Sequence, residues 1–171
     1  MNRRIFLIAD THFGHANIIK YENRPFPDPD AMTESLINLW NSVVSKNDDV
    51  YLLGDFSMYN KERSTEICRR LNGRKILIMG NHDDKSVQYY LDCGFYMVSK
   101  HPVILENYWI LSHEPMYVND NMPYANIYGH VHGSAQYSTY SAQSCCVCVE
   151  RTGYKPIPFE DIKEKISSLN N

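Results

Sequence analysis

The eight residues ILIMGNHD, at positions 76–83, set a pattern that recurs along this 171-residue chain. Residues 76–79 form a short, bounded apolar run, which is typical of a strand in a sheet covered on both faces. The run leads into Gly80-Asn81-His82-Asp83, where an amide, an imidazole and a carboxylate follow one another. The stretch therefore predicts a buried strand that delivers polar side chains to one edge of a sheet.

The same order, an apolar run followed by polar residues, occurs at four other places. The polar groups are Asp10-Thr11-His12, Gly54-Asp55, Ser112-His113 and Gly129-His130-Val131-His132. Carboxylates, amides and imidazoles together bind Mn, Fe or Zn, and a carboxylate can bridge two ions. A single Gly-Asp or Gly-Asn pair is usually a turn, and a single His is usually structural. Five such groups in one order favour a metal site instead.

In content and order, the five groups resemble the calcineurin-like metallophosphoesterases. That family's pattern is D-x-H, GD, GNH followed by D or E, a single H, and G-H-x-H, and the likeness is greatest to small, single-domain bacterial and phage-type members. The resemblance implies an α/β fold of two stacked mixed sheets flanked by helices. It also implies hydrolysis of a small phosphomonoester or phosphodiester by a water that two divalent metal ions activate. Mn²⁺ is the expected ion, and Fe, Zn, Ni or Co would also suit these ligands.

The resemblance implies a role for each polar residue of the pattern. The residues expected to bind the first ion are Asp10, His12, Asp55 and His132. Those expected to bind the second ion are Asp55, Asn81, His113 and His130. His82 would bind no metal and would stabilise or protonate the scissile phosphate. Many members read G-D-x-x-D, where the second Asp orients this histidine; here that position is Met58, so another group or a water would have to orient His82.

Two residues outside the pattern are candidate substrate contacts. His15 follows the first group, where it could reach substrate or cap a helix predicted at residues 16–20. Arg24 lies in a Pro-rich loop at residues 23–29, where it could contact phosphate. An exposed, solvated side chain is the favoured interpretation of Arg24.

The spacing of apolar residues predicts the layout of the chain. Strands at residues 5–9, 50–53 and 76–79, separated by helices at 33–45 and 61–71, predict parallel pairing with right-handed crossovers. After Gly94, a second, mainly antiparallel sheet is predicted, with strands at 95–98, 103–105, 109–111, 125–128, 136–140 and 146–150. A last helix is predicted at 159–169. The length fits one domain, residues 1–171.

Composition narrows the function classes. The 17 Lys and Arg against 20 Asp and Glu give a net charge of −3, and no long basic run occurs, so a strong nucleic-acid-binding surface is not expected. No segment approaches the roughly 20 apolar residues of a membrane span, and the run after Arg3-Arg4 is too short for a signal peptide. A cytoplasmic protein without a membrane partner is expected, and homo-oligomerisation stays open.

Two alternatives to a small-ester hydrolase stay open as well. One is an inactive protein-binding scaffold with the same fold, which the intact ligand set disfavours. The other is a nuclease acting on nucleic-acid ends, which the short, acidic chain disfavours. The five cysteines are odd in number and include no C-x-x-C pair, so free, buried thiols are expected rather than disulfides or a zinc ribbon.

Overall fold

The computed structural model describes residues 3–119, 121–135 and 141–169. In this part of the chain, helices flank two stacked sheets, which confirms the predicted α/β class. The strands are β1 Ile5–Ile8, β2 Asp49–Leu52, β3 Arg74–Ile78, β4 Met97–Ser99, β5 Val103–Leu105, β6 Trp109–Ser112, β7 Ala125–Tyr128, β8 Ser144–Cys146 and β9 Ile157–Pro158. The helices are α1 Ala16–Tyr21, α2 Pro29–Val43, α3 Lys61–Arg70, α4 Val87–Cys93, α5 Val149–Thr152 and α6 Phe159–Leu169.

The first sheet has the strand order β4-β3-β2-β1-β9. Strands β1 to β4 pair in parallel, as the alternation of strands and helices predicts, and β9 pairs antiparallel to β1. The prediction that residues 95–98 belong to the second sheet is wrong. The chain leaves β3 through α4, a helix capped by Ser86 at its start and left-handed Gly94 at its end, and such a crossover returns β4 parallel to the same sheet.

The second sheet has the order β5-β6-β7-β8 and is mainly parallel, so the prediction of antiparallel pairing is wrong. Among the described strands, only β5 and β6 form a hairpin, and two residues of its three-residue loop, Glu106 and Asn107, have positive φ angles. Long connections lead from β6 to β7 and from β7 to β8. Those connections cross over instead of reversing, and they carry two of the five polar groups of the pattern.

Two clusters of buried side chains cover the faces of the first sheet. Phe6 and Ile8 of β1 pack with Leu36 and Trp40 of α2 on one face. Leu7 and Ala9 point the other way, as alternate residues of a strand must, and pack with β6, β7 and α6. Both faces of the strands are therefore buried, which explains their nearly continuous apolar sequences.

Other boundaries differ from prediction. Helix α2 begins at Pro29, not residue 33, because Asp28 accepts a hydrogen bond from the Ala31 amide and Pro suits a first turn. The strand predicted at 146–150 is wrong beyond Cys146, because α5 begins at Val149. Residues 136–140 lie outside the described part of the chain. The five cysteines are buried and free, as predicted. Among the described helices, none has the length and apolar character that crossing a membrane requires.

Candidate metal centre

The polar groups that follow β1 and β2 are held together by continued parallel pairing. The Asp10 amide donates to the Gly54 carbonyl at 3.0 Å, and the His12 amide donates to the Asp55 carbonyl at 2.9 Å. Thr11 Oγ1 donates to the Phe56 carbonyl at 2.9 Å. The two loops therefore leave the sheet edge as one ordered unit, with Asp10, His12 and Asp55 all buried.

The first candidate ligand set converges as the motif implies. Asp10 Oδ1 lies 3.9 Å from His12 Nε2 and 3.7 Å from His132 Nε2. Asp55 Oδ2 lies 3.4 Å from the same His12 nitrogen. Ligands that each stand about 2.0–2.2 Å from one ion are separated by distances of this order.

The second candidate set converges on the other side of Asp55. His113 Nε2 lies 3.6 Å from Asp55 Oδ2 and 2.9 Å from Asn81 Oδ1. His130 Nδ1 lies 3.0 Å from the same amide oxygen and 3.1 Å from His113 Nε2. One oxygen, Asp55 Oδ2, therefore faces both sets, while Oδ1 accepts a hydrogen bond from the His82 amide at 2.9 Å.

Several candidate ligands lie on left-handed backbone, which non-glycine residues seldom adopt. Their φ values are positive at Asp10, His12, Asp55, His130 and His132. Such a conformation costs about 1–3 kcal/mol per residue and concentrates at functional sites. This conformational free energy is the cost of turning these side chains inward at the sheet edge.

The glycines of the pattern make room for the ligands of other groups. A Cβ at Gly80 would collide with Asp55 Oδ1, and one at Gly129 would stand 2.5 Å from Asp10 Oδ2. Neither approach is sterically possible. The G in GNH and the G in G-H-x-H are therefore required by contacts with residues far away in the chain.

Hydrogen bonds to the second ring nitrogen orient two of the imidazoles. His113 Nδ1 lies 2.8 Å from the Leu53 carbonyl, so Nδ1 carries the proton and Nε2 is free for a metal. His132 Nδ1 lies 3.2 Å from Glu150 Oε1, which leaves its Nε2 facing Asp10. Although burial opposes ionisation, the His132 hydrogen bond and the charge of Arg24 hold the pKa of Glu150 below its usual value.

Arg24 is buried, so the interpretation of an exposed, solvated side chain is wrong. Its guanidinium donates to the carbonyls of Asp10 and Thr11, at 2.8 and 3.1 Å, and to Glu150 Oε1 at 2.6 and 2.9 Å. These bonds leave the guanidinium facing the loop backbone rather than a substrate. Arg24 and Glu150 form a brace between the Asp10 loop and His132. No local signal in the sequence reveals this pair, because its members are 126 residues apart.

Asp83 forms a second brace, for which the motif alone gives no role. Its carboxylate accepts hydrogen bonds from the amides of Asp55 (2.7 Å), Phe56 (3.1 Å) and Gly80 (2.9 Å). These bonds join the GD loop to the GNH loop. His82, one residue earlier, is exposed, and its ring centroid lies 5.3 Å from that of His12.

His15 also lies beside this centre, with its ring 5.3 Å from His12 and 6.2 Å from His82. It occupies the N-cap position of α1, but its side chain makes no capping hydrogen bond, so the capping interpretation is wrong. His15 remains a candidate substrate contact. Burial lowers its pKa, which favours the neutral imidazole.

The buried atoms of the first set fit a divalent cation. Within the described residues, Asp10 Oδ1 and His12 Nε2 have no hydrogen-bond partner. Buried polar atoms are nearly always paired in folded proteins, and an ion between these two atoms would satisfy both. Burial raises the pKa of Asp10 to about 6 and lowers that of His12 to about 2, so His12 is a neutral imidazole, the form that binds metals.

Residues 3–147 match the family described as calcineurin-like phosphoesterase. The chain belongs to this family. Members bind pairs of divalent metals, and the two ligand sets around Asp55 supply candidate groups for such a pair. The family resemblance drawn from the five polar groups is thereby confirmed.

Curated relatives of this phosphoesterase-family chain match over part of their length. The uncharacterized protein MJ1445 of Methanocaldococcus jannaschii is 51% identical over 83 residues, which are 47% of each chain. The Gene 66 protein of Mycobacterium phage D29 is 34% identical over 88 residues, covering 50% of this chain and 43% of the phage protein. The chain thus spans about half the length of the curated relatives that it matches.

Solved structures share the fold. AQ665 from Aquifex aeolicus, a protein of unknown function, has a TM-score of 0.74 and 26% identity, covering 95% of this chain and 99% of its own. The nuclease MPE of Pseudomonas putida has a TM-score of 0.53 and 24% identity, covering 76% of this chain and 62% of its own. At that identity, the likeness to the nuclease shows the fold alone.

Proposed function

We propose that this calcineurin-like phosphoesterase-family protein hydrolyses a small phosphomonoester or phosphodiester with the help of two divalent metal ions. The observation that carries the proposal is the convergence of two ligand sets on one oxygen, Asp55 Oδ2. Ions held by the two sets would lower the pKa of a water and neutralise charge on the phosphate oxygens.

Most of the candidate site residues would hold metal ions, and the exposed side of the site would receive the substrate. Asp10, His12 and His132 would hold the first ion, and Asn81, His113 and His130 would hold the second. The first set is largely buried, whereas Asn81, His82 and His130 are exposed. Substrate therefore approaches from the side of the second set.

His82 is proposed to act on the alcohol that leaves the phosphate. The candidate ligands face one another, but the His82 ring stands outside both sets, beside His12 and His15. An imidazole can carry a proton near neutral pH and can donate it to a leaving oxygen. The His82 amide is fixed on Asp55 Oδ1, so the loop position is set even without an acid at position 58.

Mn²⁺ is the proposed ion. Five of the seven candidate ligands are imidazoles or an amide, namely His12, Asn81, His113, His130 and His132. The four imidazoles favour transition metals, including Fe, Zn, Ni and Co, over Mg²⁺, and the Asn81 amide oxygen is a hard donor that also suits Mn²⁺. We expect activity to vanish with a chelator and to return with Mn²⁺ more fully than with Mg²⁺.

The deciding experiment compares two Asp→Asn variants of the same strand–loop unit. Asp55→Asn removes the shared carboxylate, and Asp49→Asn changes an acid at the opposite end of β2, where it pairs with Arg74 at 2.7 Å. We expect Asp55→Asn to lose bound metal and all turnover in a screen of monoesters and diesters, while Asp49→Asn keeps both. Two metals per Asp55→Asn chain with normal turnover would refute the assignment. Hydrolysis by the chelated, metal-free wild type would refute the two-metal function itself.

A further inference from the structure

A cleft of about 220 Å³ opens beside the candidate metal centre, on the side of His82. Besides His82 and Asn81, its lining includes Tyr59, Tyr89 and Met58. Ligand pockets of about 300–1,000 Å³ are usual for drug-sized molecules. This cleft is smaller, so it suits a single ring-sized group.

The aromatic walls of the cleft are fixed before any ligand arrives. Tyr59 Oη donates to Asp30 Oδ1 at 2.7 Å. The Tyr89 ring packs edge-on against Tyr90, with a centroid distance of 5.2 Å, and Lys61 Nζ lies 5.7 Å from its centre. Walls that need no ordering lose little entropy when a ligand binds.

The charges and hydroxyls of the lining argue against a second phosphate. Lys85 and Asp84 are the charged side chains in the described lining, and they pair with each other at 2.7 Å. Ser64 Oγ donates to Ser57 Oγ at 3.0 Å, so these two hydroxyls already bind one another. The described lining of the cleft therefore offers tyrosine rings to a ligand, and its cation, Lys85, is already paired.

We infer that this cleft binds an uncharged aromatic group carried by the leaving alcohol of the phosphate ester. The inference rests on the proposed function, which sets the leaving oxygen beside His82. A phosphate held at the candidate ligands would direct one substituent past His82 into the cleft. A flat ring gains stacking on tyrosine in addition to the burial that an alkyl chain would gain. The aromatic group is a nucleobase or the ring of an aryl alcohol, and both present the same uncharged face.

Non-hydrolysable phosphonates test this inference without requiring turnover. Benzylphosphonate and ethylphosphonate replace the ester oxygen by CH₂ and differ in the ring. Calorimetric titration of the Mn²⁺-loaded protein should show benzylphosphonate binding about three- to tenfold more tightly. A nucleoside 5′-phosphonate forms the third arm. Tighter binding than benzylphosphonate assigns the cleft to a nucleoside, and weaker or equal binding assigns it to an aryl alcohol.

Variants of Tyr89 test whether this residue causes the preference for benzylphosphonate. Tyr89→Leu keeps apolar bulk and removes the aromatic ring, so it should reduce the preference for benzylphosphonate to the part that burial supplies, whereas Tyr89→Phe should retain the whole preference. Tyr96→Leu is the matched control, because Tyr96 is exposed and stands outside the cleft lining. The wild-type comparison needs no variant to fold.

The outcomes separate this inference from the proposed function. Equal binding of benzylphosphonate and ethylphosphonate, or an equal loss of both in Tyr89→Leu, overturns the aromatic cleft even if the protein hydrolyses esters. An aromatic preference in a protein that hydrolyses no ester overturns the proposed function and leaves the cleft as a binding site.

Discussion

Replacing Arg24 by Met should strongly destabilise the protein, because it breaks a buried ion pair. Arg24 is fully buried and the Glu150 side chain is 8% exposed, with 2.6 Å between Nη2 and Oε1. Removing one member leaves the other charge, and the carbonyls of Asp10 and Thr11, without this donor. Breaking a buried pair costs about 3–5 kcal/mol, and we expect a loss of that size in the free energy of unfolding.

The assay is urea unfolding in the presence of a chelator, with Arg70→Met as the matched control. Arg70 also binds a glutamate with both terminal nitrogens, at 2.7 Å for the Nη1 bond to Glu34. That pair is 35% and 47% exposed, so its loss should cost less than about 1 kcal/mol. The double variant Arg24→Met with Glu150→Gln should regain part of the stability, since no buried carboxylate is then unpaired. Equal losses in Arg24→Met and Arg70→Met would refute the brace.

Three other predictions concern the site and the scaffold. His82→Ala should keep its metal content and lose on the order of 10²–10⁴-fold in rate; an undiminished rate on an ester with a poor leaving group would contradict this role. Gly129→Ala should destabilise the protein by about 1–3 kcal/mol and weaken metal binding, since its Cβ meets Asp10. Gly133→Ala in the same loop, which meets only a flexible side chain at 3.2 Å, should do neither; calorimetric metal titration of both variants decides. Burial raises the pKa of Asp48, but hydrogen bonds from Arg4 outweigh burial and lower that pKa from 3.8 to about 2. The Asp48 charge therefore contributes to the stability of the fold above pH 3.8, and this contribution is lost as pH falls through about 2. Asp48→Asn should therefore cost about 2 kcal/mol at pH 7 in urea unfolding, and a loss of the same size at pH 2 would show that the charge is not responsible.

The sequence predicted strands β1 to β3 of the first sheet and the position of the candidate ligands after strands, because both depend on local patterns. Apolar runs bounded by polar residues mark buried strands, and parallel strands bring their carboxyl ends to one edge. Asp10 and Asp55 are adjacent in space for that reason, and His113, which follows β6 of the second sheet, meets them there.

The wrong predictions, on the second sheet and on Arg24, concern features that depend on contacts between distant parts of the chain. The direction of β7 and β8 depends on the path that the long connections before them take across the molecule. Turn residues such as Gly133-Ser134 do not reveal that path. The burial of Arg24 depends on Glu150, which a short helix supplies from the far end of the chain. Neither Arg24 nor Glu150 carries a local sequence signal that identifies the other as its partner.

The sequence by itself determined which chemical groups lie at the sheet edge, since each polar group lies at the end of a strand or in the loop that follows it. Only the tertiary structure decided how those groups are held. The single shared oxygen of Asp55, the brace from Arg24 to His132 and the space left by Gly129 all arise from contacts between residues far apart in sequence. Local patterns predict where a side chain emerges, but its hydrogen-bond partners are selected by packing, which acts between segments that the sequence does not place side by side.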